Sequence, residues 1–210
     1  MAKRFFVTGT DTGIGKTVAS ALLCAALDAI YWKPIQTGSG EGTDRKTVMQ
    51  LASLPVARTL PESYCFVPPV SPHLAARKAG VRIDFGKIGV PRLPVDANLI
   101  AEGAGGVLVP INETQLMIHL MRHLKLPVVL VARSALGTIN HTLLSLAALR
   151  RARVDVRGVV MVGKPNGENR KAIEHYGDIG VVGTIPILTK INRAVLLRTF
   201  RSHFDRKAFS

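Results

Sequence analysis

Five residues carry the chemistry open to this sequence. Lys16 and Thr17 close the run Gly9-Thr10-Asp11-Thr12-Gly13-Ile14-Gly15-Lys16-Thr17, and Lys33, Asp44 and Glu102 follow it. A glycine-rich turn between an apolar strand and a helix is a phosphate cradle. Its backbone N–H groups curl around the anion, and the helix aims its positive dipole end at that charge. In such a loop Lys16 reaches the β- and γ-phosphates of ATP and the Thr17 hydroxyl ligates Mg²⁺. The general pattern sets its first glycine five positions before the Gly-Lys pair, where this chain has Thr10, with Gly9 one residue earlier. The strand before (Phe5-Phe6-Val7) and the apolar helix after (from Val18) restore the assignment.

Lys33 and Glu102 both stand at strand ends. Lys33 follows Ile30-Tyr31-Trp32. There it could stabilise charge on a transferring phosphoryl group or simply be a surface lysine, and the residues alone leave both readings open. Glu102 ends Asn98-Leu99-Ile100-Ala101 and precedes Gly103-Ala104-Gly105-Gly106, where backbone can approach a ligand closely. That is the place of the acid that holds Mg²⁺ in a P-loop protein. Asp44 is expected near the N-cap of a helix over residues 45–54, with capping as its ordinary role and a second acidic Mg²⁺ contact as the sharper one.

These side chains need a scaffold, and the pattern supplies one. An apolar helix is expected over residues 16–29, a strand over 30–35, a loop-rich stretch over 55–93 and a strand over 98–102. Continuous apolar runs at 127–132 and 156–162 read as parallel strands buried on both faces. Helices are expected over 113–124 and 138–151, a short strand at 181–183 and a last helix over 191–204. Strand and helix alternate throughout, which specifies one doubly wound α/β domain: a mostly parallel sheet with helices on both faces, P-loop NTPase-like. Ser71-Pro72-His73 opens a helix over 72–79, with Ser71 as N-cap and proline at the first helical position. His73 there reads as a capping or packing residue.

Composition excludes some classes of function. The 210 residues are 47% apolar with no run of membrane-spanning length, so a cytoplasmic protein is expected. Cys24 and Cys65 form no metal or disulfide pattern; one is expected buried and the other semi-exposed. The net charge of +14 raises a polyanionic partner, but the basic residues are spread along the chain without interleaved aromatics. A solvated basic face is therefore favoured over nucleic-acid binding.

Together the motifs resemble the dethiobiotin synthetase family. The matching stretches are Val7-Thr8-Gly9-Thr10-Asp11-Thr12 with Gly15-Lys16-Thr17, Trp32-Lys33-Pro34 with Thr37-Gly38, Ser71-Pro72-His73, Glu102-Gly103-Ala104-Gly105-Gly106 with Val109-Pro110, and Gly137-Thr138-Ile139-Asn140-His141. The extra residue in the phosphate loop is that family's own spacing. The resemblance implies a homodimeric enzyme that uses MgATP, CO₂ or bicarbonate and 7,8-diaminononanoate to close the ureido ring of dethiobiotin.

It also implies roles. Lys33, Lys16 and Thr12 would serve catalysis, with Lys16 and Lys33 on the transferring phosphoryl group. Gly13, Ile14, Gly15, Lys16, Thr17 and Val18 would cradle the nucleotide, joined by Asp44, Glu102, Gly103, Ala104 and Gly105. Val162, Gly163, Pro186, Ile187 and Leu188 would complete the nucleotide site. Thr17, Asp44 and Glu102 would hold Mg²⁺. Thr12 and Thr37 would touch the carbamate and diamine end of the substrate, with Ser71 and Pro72 beside them. Leu136, Gly137 and Asn140 of the partner subunit would receive its carboxylate tail.

One departure stands out. The family often carries asparagine at the end of the strand over 156–162, reading the adenine edge, whereas this chain has Val162, which cannot hydrogen-bond a base. Broader nucleotide selection is the expected consequence. Two other readings compete. A partition- or septum-type ATPase switch carries a signature lysine where this chain has Asp11, and a basic nucleic-acid-binding protein with a P-loop has only the net charge in its favour.

Overall fold

The computed structural model describes residues 2–210. Seven parallel strands form the main sheet. They are β1 (Arg4–Gly9), β2 (Ile30–Trp32), β4 (Thr59–Leu60), β6 (Leu99–Glu102), β7 (Val128–Arg133), β8 (Val156–Val162) and β9 (Val181–Ile185), in the order β4-β2-β6-β1-β7-β8-β9. A two-stranded parallel annex pairs β3 (Ile35–Gln36) with β5 (Tyr64–Cys65). The helices are α1 (Lys16–Leu27), α2 (Asp44–Ala52), α3 (Pro72–Lys78), α4 (Met117–Leu124), α5 (Thr138–Arg151), α6 (Gly167–Gly177) and α7 (Arg193–His203).

Alternation along the strands builds two cores. Phe6, Leu99, Ala101, Leu130 and Val159 face one side, under Met117 and Leu120 of α4, Leu146 of α5 and Ile173 of α6. Val7, Ile100, Val129, Val131 and Val160 face the other, under Leu22 and Leu23 of α1 and Leu196 and Phe200 of α7. Full burial of a side chain such as Phe6 contributes about 2–3 kcal/mol. The apolar surroundings of α1 follow from its place between sheet, α2 and α7. The chain end joins this second core, where Phe209 packs edge-on against Phe5 and Phe200.

The expected α/β alternation is present, and several details differ. The helix expected from residue 113 begins at Met117, because Asn112 Oδ1 accepts from Thr114 N at 3.1 Å and Gln115 N at 2.9 Å, which turns the chain first. Thr43, not Asp44, caps α2: its side chain accepts from Lys46 N, and Asp44 is the first helical residue. The pattern gave no warning of α6, a polar helix that buries only Ile173 and Gly177. The two-residue strands β4 and β5 lie inside the stretch expected to be loop. Cys24 is buried as expected, while Cys65 is exposed rather than semi-exposed.

Strand order positions the chemistry. β1 lies between β6 and β7, with Val7 opposite both Glu102 and Val129, so the phosphate loop and Glu102 leave neighbouring strands at the same sheet edge. β2 pairs with the other side of β6 and brings Lys33 to that edge.

Candidate active site

The loop after β1 is shaped by its glycines. Gly13 and Gly15 take φ of 66° and 95°, the left-handed region that side chains disfavour, and Gly15 occupies the N-cap of α1. A Cβ on Gly15 would stand 2.9 Å from Val162 Cγ1, so β8 closes the loop from outside. Lys16 curls back over the loop and donates to the Asp11 carbonyl at 2.8 Å. The Asp11 carboxylate accepts from Thr12 N at 2.7 Å and from Arg133 at 2.9 Å.

Beside the loop lies a cleft of about 550 Å³. Its walls include Thr12, Gly13, Gly15, Lys16, Thr17, Val18, Lys33, Thr37, Asp44, Ser71, Pro72, Glu102, Ala104 and Gly105. Most of the expected catalytic, phosphate and substrate residues therefore share one space. Ile14 is buried under the loop. Gly103 is packed so closely on Phe6 that a Cβ would stand 2.9 Å from its ring. Pro186, Ile187 and Leu188 line a separate hollow with Lys190 and Arg198. Gly163 donates to the Ile185 carbonyl at 2.9 Å, which ties Val162 to that hollow's edge. Leu136 is fully exposed, and with Gly137 and Asn140 at the start of α5 it stands outside the cleft of its own chain.

At the floor of the cleft the charges meet. Thr17 Oγ1 lies 2.8 Å from Asp44 Oδ1 and 3.1 Å from Glu102 Oε1. Lys33 Nζ lies 2.5 Å from Asp44 Oδ2 and 3.2 Å from Glu102 Oε1. Burial alone would lower the Lys33 pKa, but the carboxylates of Glu102 and Asp44 outweigh it and hold the amine above its usual value. Burial likewise opposes ionisation of Asp44, and Lys33, with help from Thr17 and Gln36, overrides it and holds the carboxyl below its usual range. Lys16 has no such direct partner. Burial pushes it down to about 8, with Glu102 opposing the shift and Lys33 adding to it.

The donor set suits Mg²⁺. One hydroxyl and two carboxylates converge as hard oxygen ligands, too few for a complete cage, which is how an ion shared with phosphate oxygens is held. No separate cluster of three or more His, Cys, Asp or Glu side chains suited to a metal occurs among the described residues.

Sequence reasoning passed over two supporting residues. Tyr31, fully buried, donates its phenol to Glu102 Oε2 at 3.0 Å. Its signal was available, since Tyr31 and Lys33 are two apart at a strand end and so point the same way. Gln36 accepts from Asp44 N at 3.1 Å and donates to the Thr37 carbonyl at 2.6 Å, linking Asp44 to Thr37. A glutamine in a polar loop carries no pattern that would reveal this.

A family model described as an AAA domain matches residues 3–195. A protein of Paramagnetospirillum magneticum named ATP-dependent dethiobiotin synthetase BioD is 53% identical over 191 residues, covering 91% of each chain. Relatives with the same name from Rhodopseudomonas palustris and Brucella anthropi are 46% identical over 209 residues, covering 100% of this chain and 97% and 98% of theirs. The chain belongs to the ATP-dependent dethiobiotin synthetase family. That family consists of ligases of biotin biosynthesis. Among solved structures, chloroplast FtsY of Physcomitrella patens matches with a TM-score of 0.54 at 13% identity, covering 100% of this chain and 64% of that one. The MinC:MinD complex of Aquifex aeolicus matches at 0.50 and 15%, covering 94% of this chain and 86% of that one. At those identities the likeness concerns the P-loop fold alone. Among the described residues no helix is long and apolar enough to cross a membrane.

Proposed function

We propose that this chain closes the ureido ring of dethiobiotin from 7,8-diaminononanoate and CO₂ at the expense of ATP, in the cytoplasm, as a homodimer. The observation that carries the reading is the convergence of two lysines, a threonine and two carboxylates on one cleft beside a phosphate loop, in a chain that belongs to this family.

The chemistry needs those groups. One amine of the substrate takes up CO₂ as a carbamate, the carbamate oxygen attacks the γ-phosphate, and the second amine then displaces phosphate. Each step gathers anionic oxygen in one place, so positioning and charge stabilisation are the main tasks. Lys16 would meet the β- and γ-phosphates from the loop, and Lys33 would meet the transferring phosphoryl group from the floor of the cleft at the end of β2. Thr17, Asp44 and Glu102 would hold Mg²⁺, which supplies neutralisation of phosphate charge. Thr12, Thr37, Ser71 and Pro72 surround the space left for the diamine.

The exposed start of α5 supports the dimeric part of the reading. Leu136, Gly137 and Asn140 cannot serve the cleft of their own chain, and the N-terminus of a 14-residue helix suits a carboxylate. In a dimer they would close the partner's cleft around the substrate tail. Val162, beside Gly15, predicts a nucleotide site with a looser grip on the base.

The test is phosphate release from MgATP by the purified protein with bicarbonate and 7,8-diaminononanoate, each omitted in turn. Release that needs both and collapses in Lys33→Ala supports the reading. ATP hydrolysis indifferent to the diamine would overturn it.

A further inference from the structure

Ser71 occupies the N-cap position of α3, yet its hydroxyl makes no capping bond to the helix. Ser71 Oγ instead stands 3.0 Å from His73 Nδ1. The serine lines the cleft that holds Lys16, Lys33 and Thr37, while the histidine lies behind it, half-buried. The segment that carries the pair is tethered at two points. His73 N donates to the Pro110 carbonyl at 3.3 Å, and Gly38, next to Thr37, donates to the Pro68 carbonyl at 3.0 Å. A serine bordering the cleft, whose hydroxyl has an imidazole as its one hydrogen-bond partner among the described residues, is the arrangement of a proton relay.

We propose that Ser71 and His73 accept the proton released when the second amine closes the ring. This rests on the ring-closing function proposed above. In that step the amine lone pair forms the C–N bond to the carbamate carbon, the bond from that carbon to the phosphate oxygen breaks, and phosphate leaves with the electron pair. The amine N–H proton passes to Ser71 Oγ as the serine's own proton moves to His73 Nδ1, leaving a neutral ring nitrogen and an imidazolium. Nδ1 must therefore be the bare nitrogen, with the resting proton on Nε2. The half-exposed ring then returns the proton to water. Ser71 is the catalytic member, and His73 acts through it.

Rapid-quench measurement separates the two chemical steps, because ADP forms when the carbamate is phosphorylated and free phosphate appears when the ring closes. The informative variant is His73→Asn, whose Oδ1 can accept the serine hydrogen bond but takes no proton at neutral pH. Alongside it stand Ser71→Ala and His73→Ala. The expected result is a first-turnover burst of ADP at the wild-type rate in both His73 variants, with phosphate release slowed about 100-fold, whereas Ser71→Ala, which also borders the substrate, slows phosphate release further than ADP formation. Imidazole in the medium should restore His73→Ala and not Ser71→Ala. Wild-type closure in His73→Asn, an equal slowing of ADP and phosphate, or a slow His73→Ala that imidazole fails to restore would overturn the relay. Wild-type protein that makes no diamine-dependent ADP would overturn the ring-closing reading itself, a distinct outcome.

Discussion

Lys33 Nζ lies 2.5 Å from Asp44 Oδ2, and it reaches Glu102 Oε1 as well, so a lysine ammonium bridges the two carboxylates proposed to hold Mg²⁺. In the nucleotide-free protein the amine and a metal would compete for the same oxygens. Removing one member of a buried ion pair costs about 3–5 kcal/mol, because the remaining charge is left uncompensated. Lys33→Met should therefore melt at a lower temperature without metal and regain stability when Mg²⁺ is added. It should also bind Mn²⁺ more tightly than the wild type without nucleotide, as read by electron paramagnetic resonance. Equal or weaker Mn²⁺ binding would show that the amine does not compete.

Tyr31 supplies the donor for the other oxygen of Glu102, and both side chains are fully buried. Tyr31→Phe keeps the ring and deletes only the hydroxyl, leaving a buried acceptor unpaired at a cost of about 1–3 kcal/mol. Chemical denaturation should register that loss. With Glu102 held through Oε1 alone, the Mg²⁺ concentration for half-maximal ATP turnover should rise several-fold. A variant less stable but unchanged in Mg²⁺ requirement would confine Tyr31 to packing.

The Lys16 amine gives the site a pH dependence in the absence of ligands. It titrates near 10.5 in the unfolded chain and at about 8 in the folded one. Between those values the unfolded chain binds more protons, so stability rises with pH; below 8 both states are charged and the cost of burying the ammonium is present in full. Measured against Lys16→Met in chelator, the wild type should gain about 2–3 kcal/mol between pH 7 and pH 10. Parallel pH profiles for the two proteins would refute this.

Val162 tests the base side. It packs on Gly15, and asparagine of similar size should fit while adding an amide that can pair with adenine. Val162→Asn should raise the preference for ATP over CTP and GTP in diamine-dependent turnover. A wild type already strict for ATP would place base recognition elsewhere.

The fold was readable because its strongest signals are long. The apolar runs of β7 and β8 and the helix α1 have bounds close to those expected, since burial on both faces leaves little freedom in residue type, and α5 does so through its single buried stripe of Thr138, Thr142, Leu146 and Leu149. Weak amphipathic pieces escaped. Helix α6 is stabilised locally by the Asn166 cap and the Arg170 and Lys171 ion pairs rather than by a broad apolar stripe. In the site, Lys16, Thr17 and Glu102 were legible because loop and strand end fix both type and spacing. The Ser71–His73 bond was hidden because the same three residues, Ser-Pro-His, satisfy an ordinary helix start.

The central place of β1 has a consequence for how the protein comes apart. Because β1 is bonded on one side to β6 and on the other to β7, the phosphate loop and Glu102 hang from the innermost ladder of the sheet. The amides of Phe5, Phe6 and Val7 should exchange with solvent only when the whole domain opens. Heat should then extinguish nucleotide binding and global structure together, so a partly unfolded form that still grips phosphate has no place in this architecture.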